Sequence, residues 1–353
     1  MMKHEQNSRF VLCETSRGTL GVEVVAQDIL RVFLGRETQN YFSKAVEADR
    51  HEDCAFTVTE EGDTLVIATP VLRLAVDAAG HTDFYTAAGK PLSLAWRGAR
   101  GVIDRGLHDK DLLEKEGHKD AGSAAGLPVE ELRALLPDDA VYGLGDKPTV
   151  LNKRSYAYEN WNSDIPDPHE ECFKSLYKDF PVFFVSSAAA ERTYGIFFDN
   201  TFHTYFDFGL ESPDYLSFGA KEGALNYYFF AGPTLREAVS RYTWLTGRAP
   251  LPQRWALGYQ QCRWGYASAE EFRALARKFQ ELDIPLDALH FDIDYMDGYR
   301  VFTTNDKTFP DFPGLMAELK AQGIKAVTII DPGVKVDPKY YVYQEGLQKG
   351  YFC

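Results

Sequence analysis

From Val11 to about Leu74, apolar residues come in short runs with a period of two, broken by turn residues. Phe56 and Val58 lead into Glu61-Gly62-Asp63 and the run Thr64 to Thr69 leads out, which is a hairpin pattern. Leu72, Leu74 and Val76 alternate with Val71, Arg73 and Ala75 before Ala79-Gly80 turns the chain again. Strands at such spacing, with no helical period, predict an antiparallel β-sandwich. Asp109 to Ala125 is charged and then small, and reads as an exposed loop. Strand-like sequence resumes after Pro128, and aromatic runs extend from Leu176 to Phe184 and from Tyr194 to Phe230. In VYGLGD, Val141 to Asp146, two glycines flank a leucine. Neither a helix nor a Gly-Lys-Ser/Thr follows, so a tight turn in a sheet is expected rather than a phosphate loop.

The period changes at Thr234. Leu235, Ala238, Val239, Tyr242 and Leu245 have helical spacing, Thr234 and Glu237 form a capping box, and Gly247 ends the helix before Pro250 and Pro252. The expected organisation is a sandwich over 1–232, a linker helix and connection over 233–252, and an α/β domain over 253–353. In that last part Ala256 to Cys262 reads as a strand. Ser268 and Glu271 cap a helix whose face is Phe272, Leu275, Phe279 and Leu282. A second helix begins at Pro313, with Leu315, Met316 and Leu319 on one face and Gly323 closing it. Lys325 to Asp331 reads as a strand with Val327, Ile329 and Asp331 on one face, and Pro338 to Lys349 is helix-like. This βαβα order predicts parallel strands with right-handed crossovers. Three β/α units are present, whereas a closed barrel of this kind needs about eight.

Between the two helices lies HFDIDYMDGY, His290 to Tyr299, after the apolar run Leu286 to Phe291. If extended, His290, Asp292 and Asp294 share one face and Leu289, Phe291 and Ile293 the other. Carboxylates gathered at a strand's C-terminal end suit gripping sugar hydroxyls, holding a metal, or acid/base work. The ordinary fate of Asp is solvation, but clustering with Asp297 beside Tyr295 and Met296 favours function. Asp164 lies in a loop rich in polar and proline residues, where aspartate is usually only a turn former.

Composition narrows the classes. Hydrophobic residues at 45% and charged ones at 25% are those of a globular chain, and the net charge of −14 argues against nucleic acid or an anionic membrane as partner. The 20 Tyr and 24 Phe are sheet core more often than sugar platforms. Cysteines at 13, 54, 172, 262 and 353 form no C-x-x-C pair, so neither a zinc site nor a disulfide framework is expected. No apolar leader opens the sequence and no 18-residue apolar run occurs, which makes the cytoplasm the expected location. Nothing in the pattern sets an oligomeric state.

LGYQQCRWGY (Leu257 to Tyr266) and DIDYMDGYRVF (Asp292 to Phe302) resemble glycoside hydrolase family 31, the α-glucosidase family. So do YGLGD (Tyr142 to Asp146), WNSD (Trp161 to Asp164), Phe309-Pro310 and IIDPGV (Ile329 to Val334), in the family's order over about residues 140 to 353. The resemblance implies a mutarotase-like antiparallel β-sandwich followed by the first three β/α units of a (β/α)8 TIM barrel. It also implies retaining cleavage of terminal α-glucosidic bonds, with α-linked glucosides such as maltose, isomaltose and malto-oligosaccharides as substrates and with no cofactor or metal. By the same resemblance Asp292 grips hydroxyls of the non-reducing glucose and Trp264 forms an aromatic wall near the subsites. Asp164 reaches toward the leaving sugar from a sandwich loop, and Ile329 and Asp331 line the pocket floor or support it.

The sequence departs from the family in one decisive respect. A retaining glycosidase needs two carboxyls roughly 5 to 5.5 Å apart, and the family's W-x-D-M-N-E nucleophile motif and its acid/base are not present. No residue is therefore assigned as catalytic. Both are expected beyond Cys353, and the 353-residue chain alone is expected to be inactive. Thr304 stands where relatives usually carry an aromatic. Alternatives are a non-catalytic carbohydrate-binding remnant, an α-xylosidase or transglucosidase of the same family, and a metal-dependent transferase using Asp292 and Asp294 as a DxD pair.

Overall fold

The computed structural model describes residues 2–48, 50–101, 127–148, 150–165, 168–170, 173 and 175–352. The expected loop from Asp109 to Ala125 lies outside the described residues, as do Cys172 and Cys353. Two compact units divide the chain, Met1–Arg248 and Ala249–Cys353.

The first unit is the expected sandwich. One sheet has eight strands, all antiparallel. In spatial order they are His4–Gln6, Phe10–Thr15, Gly18–Ala26, Ile29–Leu34, Asn226–Ala231, Arg192–Phe198, Asp179–Ser187 and Ala140–Gly145. Against it lie a five-stranded sheet over residues 57–93 and a four-stranded sheet built from Val129–Ala134, Tyr215–Ala220, Thr204–Asp207 and Ala157–Asn160. These two sheets touch through a bridge between Ala95 and Arg133. Leu72, Leu74 and Val76 point into the shared core with Val22, Val32, Phe183, Phe218 and Phe229.

The aromatic runs of the central strands are explained by their second face. Tyr227 and Phe229 enter the core between the sheets, while Tyr228 and Phe230 pack under the helix Leu235–Thr246 with Val182, Phe184 and Phe197. A strand covered on both sides loses its polar alternation. That helix starts where the capping box predicts, with Thr234 Oγ1 accepting from the Glu237 amide at 3.3 Å. It buries Ala238 and Leu245 on the sheet, so the segment expected to act as a linker packs as part of the first unit.

VYGLGD is not a tight turn. Ala140–Gly145 is an edge strand paired with Asp179–Ser187, with a register shift between Gly143 and Gly145. Leu144 occupies the bulge at φ +68° and is fully buried. At Gly145 a Cβ would come within 2.2 Å of the Lys178 carbonyl, so only glycine lets the two backbones approach there.

The second unit holds three parallel strands in the order Gln260–Gln261, Ala288–Phe291, Lys325–Thr328, alternating with the helices Ala269–Glu281 and Phe312–Ala321. Helix Tyr341–Lys349 follows, ended by Gly350 at φ +65°. Both crossover helices begin on side-chain caps. Ser268 Oγ accepts from the Glu271 amide at 3.3 Å while the Glu271 carboxylate accepts from the Ala267 amide at 2.8 Å. Asp311 accepts from the Gly314 amide at 2.9 Å. Leu289 and Phe291 face the helices, and the Phe291 and Phe272 rings stack with centroids 3.8 Å apart.

Three expectations for this unit are corrected. Only Gln260 and Gln261 of the segment Ala256 to Cys262 pair as a strand, because Arg254–Leu257 coils into a 3-10 turn. The strand expected over Lys325 to Asp331 stops at Thr328. Leu282, expected on a buried helix face, lies past the last turn and is exposed. Among the described residues no helix is long and apolar enough to cross a membrane.

Candidate functional site

The three parallel strands end together, and in such sheets chemistry collects at the carboxyl ends. The central strand stops at Phe291 because the next residue changes the hydrogen-bonding partner. Asp292 Oδ1 accepts from the Ile293 amide at 2.7 Å and so caps a 3-10 turn, Ile293–Tyr295. That backbone bond orients the half-buried carboxylate. Its second oxygen, Oδ2, has the Cys262 thiol 3.9 Å away as a weak donor. Burial and the adjacent Asp292 charge hold the Cys262 thiol above its ordinary pKa, so it stays protonated beside the carboxylate. One oxygen fixed by backbone and one held only by a thiol leave Asp292 free to accept from vicinal ligand hydroxyls.

Asp294 and Asp297 do not share the face of Asp292. The chain has already turned, and both carboxylates are engaged locally. Asp294 accepts from the Tyr299 hydroxyl at 3.2 Å, which raises the phenol's pKa, and Asp297 pairs with Arg300 at 2.6 Å. The DxD pairing of Asp292 with Asp294 therefore lacks the common strand face it would need.

The loop after this turn is clasped. Arg300 also reaches Asp337 at 2.7 Å, Lys335 donates to the Gly298 carbonyl at 2.8 Å, and the buried Tyr340 hydroxyl donates to the Val301 carbonyl. Gly298, Tyr299 and Phe302 have φ of +58°, +59° and +63°. Two non-glycine residues in left-handed geometry cost energy that the clasp offsets.

Ile329 lies beside Asp292. Its amide donates to the Phe291 carbonyl at 2.9 Å, and its carbonyl accepts from the Tyr295 hydroxyl at 2.9 Å. Asp331 does not continue that strand's face. It is exposed at φ +44°, with its carbonyl accepting from the Gly333 amide at 2.7 Å. Trp264 stands on the connection leaving the first strand, 69% exposed. Asp164 belongs to the first unit, where its carboxylate accepts from the Tyr177 hydroxyl at 2.7 Å. The structure thus brings Asp292 and Ile329 together, puts Trp264 and Asp331 on loops from neighbouring strand ends, and anchors Asp164 separately in the sandwich.

Sequence reading missed three neighbours. Cys262 appeared only as one of five scattered cysteines. Gln260 Oε1 accepts from His290 Nε2 at 2.8 Å, and Tyr295 ties the strand end to Ile329. Gln260 and Cys262 sit about thirty positions before their partners, so only the parallel register brings them there.

A model described as the family 31 N-terminal galactose mutarotase-like domain matches residues 19–207, and one described as the family 31 TIM-barrel domain matches residues 249–353. Alpha-glucosidase 2 from Bacillus thermoamyloliquefaciens is 48% identical over 243 residues, covering 69% of this chain and 30% of the relative. Lysosomal alpha-glucosidase from Mus musculus is 32% identical over 227 residues, covering 63% and 23% respectively. A family 31 dextranase from Flavobacterium johnsoniae, solved with isomaltotriose, superposes with a TM-score of 0.78 at 28% identity, covering 99% of this chain and 40% of that one. The chain therefore spans about a third or less of the curated relatives it matches. Since the sandwich model alone accounts for more than half of the residues and the barrel model for the remainder of the motifs, the chain belongs to glycoside hydrolase family 31.

Proposed function

We propose that the protein is part of a retaining, exo-acting α-glucosidase that removes terminal non-reducing glucose from α-linked oligosaccharides such as maltose, isomaltose and malto-oligosaccharides. The observation that carries this reading is Asp292, a carboxylate fixed by a backbone amide at the end of the central parallel strand, with its second oxygen committed only to a thiol. A carboxylate so held takes two vicinal hydroxyls of a terminal glucose in charge-assisted bonds. In this reading Trp264 walls the same strand ends and Ile329 supports them from the neighbouring strand.

The α-glucosidases among the relatives and the isomaltotriose carried by the dextranase support α-glucosides as substrates. No residue of this chain is assigned as nucleophile or acid/base. In this reading those two carboxyls come from barrel units outside residues 1–353, and no cofactor is needed. The test compares hydrolysis of maltose by the 353-residue chain with hydrolysis by a polypeptide carrying a complete barrel. The complete polypeptide is expected to release α-glucose and the 353-residue chain none. Turnover by the 353-residue chain matching that of the complete one, or release of β-glucose, would overturn the reading.

A further inference from the structure

Residues of the edge strand Ala140–Gly145 and of the loop after it line a groove of about 430 Å³ that the reading above does not use. The lining is Gly143, Gly145, Lys147, Val150, Leu151 and Lys153, so both of its charged residues are cations. Gly143 and Gly145, at φ +129° and +79°, contribute backbone only, while Val150 and Leu151 are exposed apolar side chains.

Lys153 is only 5% exposed, and its amide donates to the Val141 carbonyl at 2.7 Å, which fixes its backbone against the edge strand. Its ammonium lies 5.1 Å from the centroid of the Tyr158 ring and meets no carboxylate or carbonyl among the described residues. The ring face attracts the charge without neutralising it. The acids nearby are taken. Asp179 pairs with the buried Lys147 ammonium and accepts from Ser175 at 2.6 Å, Asp146 pairs with Lys178 at 3.1 Å, and Glu159 pairs with His203 at 2.8 Å. Burial, and then the charge of Lys147, push the Lys153 pKa below its ordinary value, as befits a cation that the fold leaves unpaired. A buried charge is costly until it is paired. Two positions after Tyr158, and so on the same strand face, Asn160 is buried with neither amide atom hydrogen-bonded. The neighbourhood of Tyr158 thus holds an unneutralised cation and an unused amide donor.

We propose that this groove binds a small phosphate-type oxyanion, held by the Lys153 ammonium, with Lys147 adding to the positive field and Val150 and Leu151 as its exposed apolar lining. An ammonium is an ordinary phosphate partner, acting as a compact point charge with three donors. A neutral sugar would leave the Lys153 charge unmatched, and two ammonium groups would repel a metal ion. The site is independent of Asp292 and of the function proposed above.

Calorimetric titration of the full chain with inorganic phosphate, and then with phenyl phosphate, tests it. Phosphate should bind saturably. Lys153→Met, which keeps the apolar stem and drops the charge, should weaken binding about tenfold, while Asp292→Asn leaves it unchanged. Tighter binding of phenyl phosphate would assign a monoester whose ester group lies on Val150 and Leu151, and equal binding would assign the free ion. A readout on the unaltered chain covers the case in which Lys153→Met destabilises the sheet. Phosphate should slow reductive methylation of Lys153, followed by mass spectrometry, and leave that of the exposed Lys44 unaffected. Absence of saturable binding, binding unmoved in a folded Lys153→Met, or Lys153 methylated as fast with phosphate as without would each overturn the proposal.

Discussion

The two units use opposite strategies to hold a sheet. In the sandwich the strands Tyr215–Ala220 and Asn226–Ala231 are buried at every position, and for Asn226–Ala231 the cause is sheet packing on one side and a helix covering part of the other. Within residues 249–353, which hold three β/α units, the strand Lys325–Thr328 is exposed at three of its four positions, and Leu289 and Phe291 of the central strand pack against the helices. The lesson concerns where chemistry is available. A doubly covered strand satisfies its groups internally and contributes stability, while the carboxyl end of the central parallel strand presents Asp292, one oxygen of which is held only by a thiol.

The sharpest way to break this contrast is to weaken the thinner core. Phe291→Ala removes a fully buried ring from a stacked aromatic cluster of the second unit and should cost about 3–5 kcal/mol there. Amide hydrogen exchange should rise across 249–353 and stay unchanged across the sandwich; equal rises in both would dissolve the distinction. Leu245→Ala tests the other side. It strips the helix Leu235–Thr246 of its fully buried anchor, for about 2–4 kcal/mol, and denaturant melts should place the loss in the first unit. Ser268→Ala should cost about 1 kcal/mol by removing a helix cap, detectable as fraying of Ala269–Glu281.

The smallest effect concerns pH. Asp337 is held below its ordinary carboxylate pKa by the Lys339 amide and by Arg300. A group whose folded pKa is lowered contributes above its unfolded value and loses that contribution as pH falls through the folded one. The clasp on the loop after Asp292 should therefore be indifferent to pH between 5 and 8 and open only below pH 3.8. NMR titration of Asp337 checks this, and a midpoint at or above 3.8 would refute it.

Much of the fold was legible because its determinants are local. Period-two runs gave way to helical spacing at Thr234, and the caps at Thr234, Ser268 and Asp311 lie within three residues of what they bond. The site was less legible for two reasons. Asp292 looked like one acid of an alternating strand, but by bonding the very next amide it ends that strand and sends Asp294 elsewhere. Cys262, Gln260 and Ile329 become its neighbours or its strand's neighbours through register between parallel strands, which no short window of sequence contains. The bulge at Leu144 was missed for a related reason, since φ +68° on a buried leucine depends on the partner strand rather than on the two glycines alone.

The central claim is that Asp292 grips the terminal glucose, and a crystal structure of the full chain with bound isomaltose tests it most directly. The account predicts glucose hydroxyls within about 2.5–3.0 Å of Asp292 Oδ2, with Oδ1 still bonded to the Ile293 amide, and loss of that sugar in Asp292→Asn. A glucose ring seated at these strand ends with no hydroxyl on Asp292, or one bound equally well by Asp292→Asn, would contradict it.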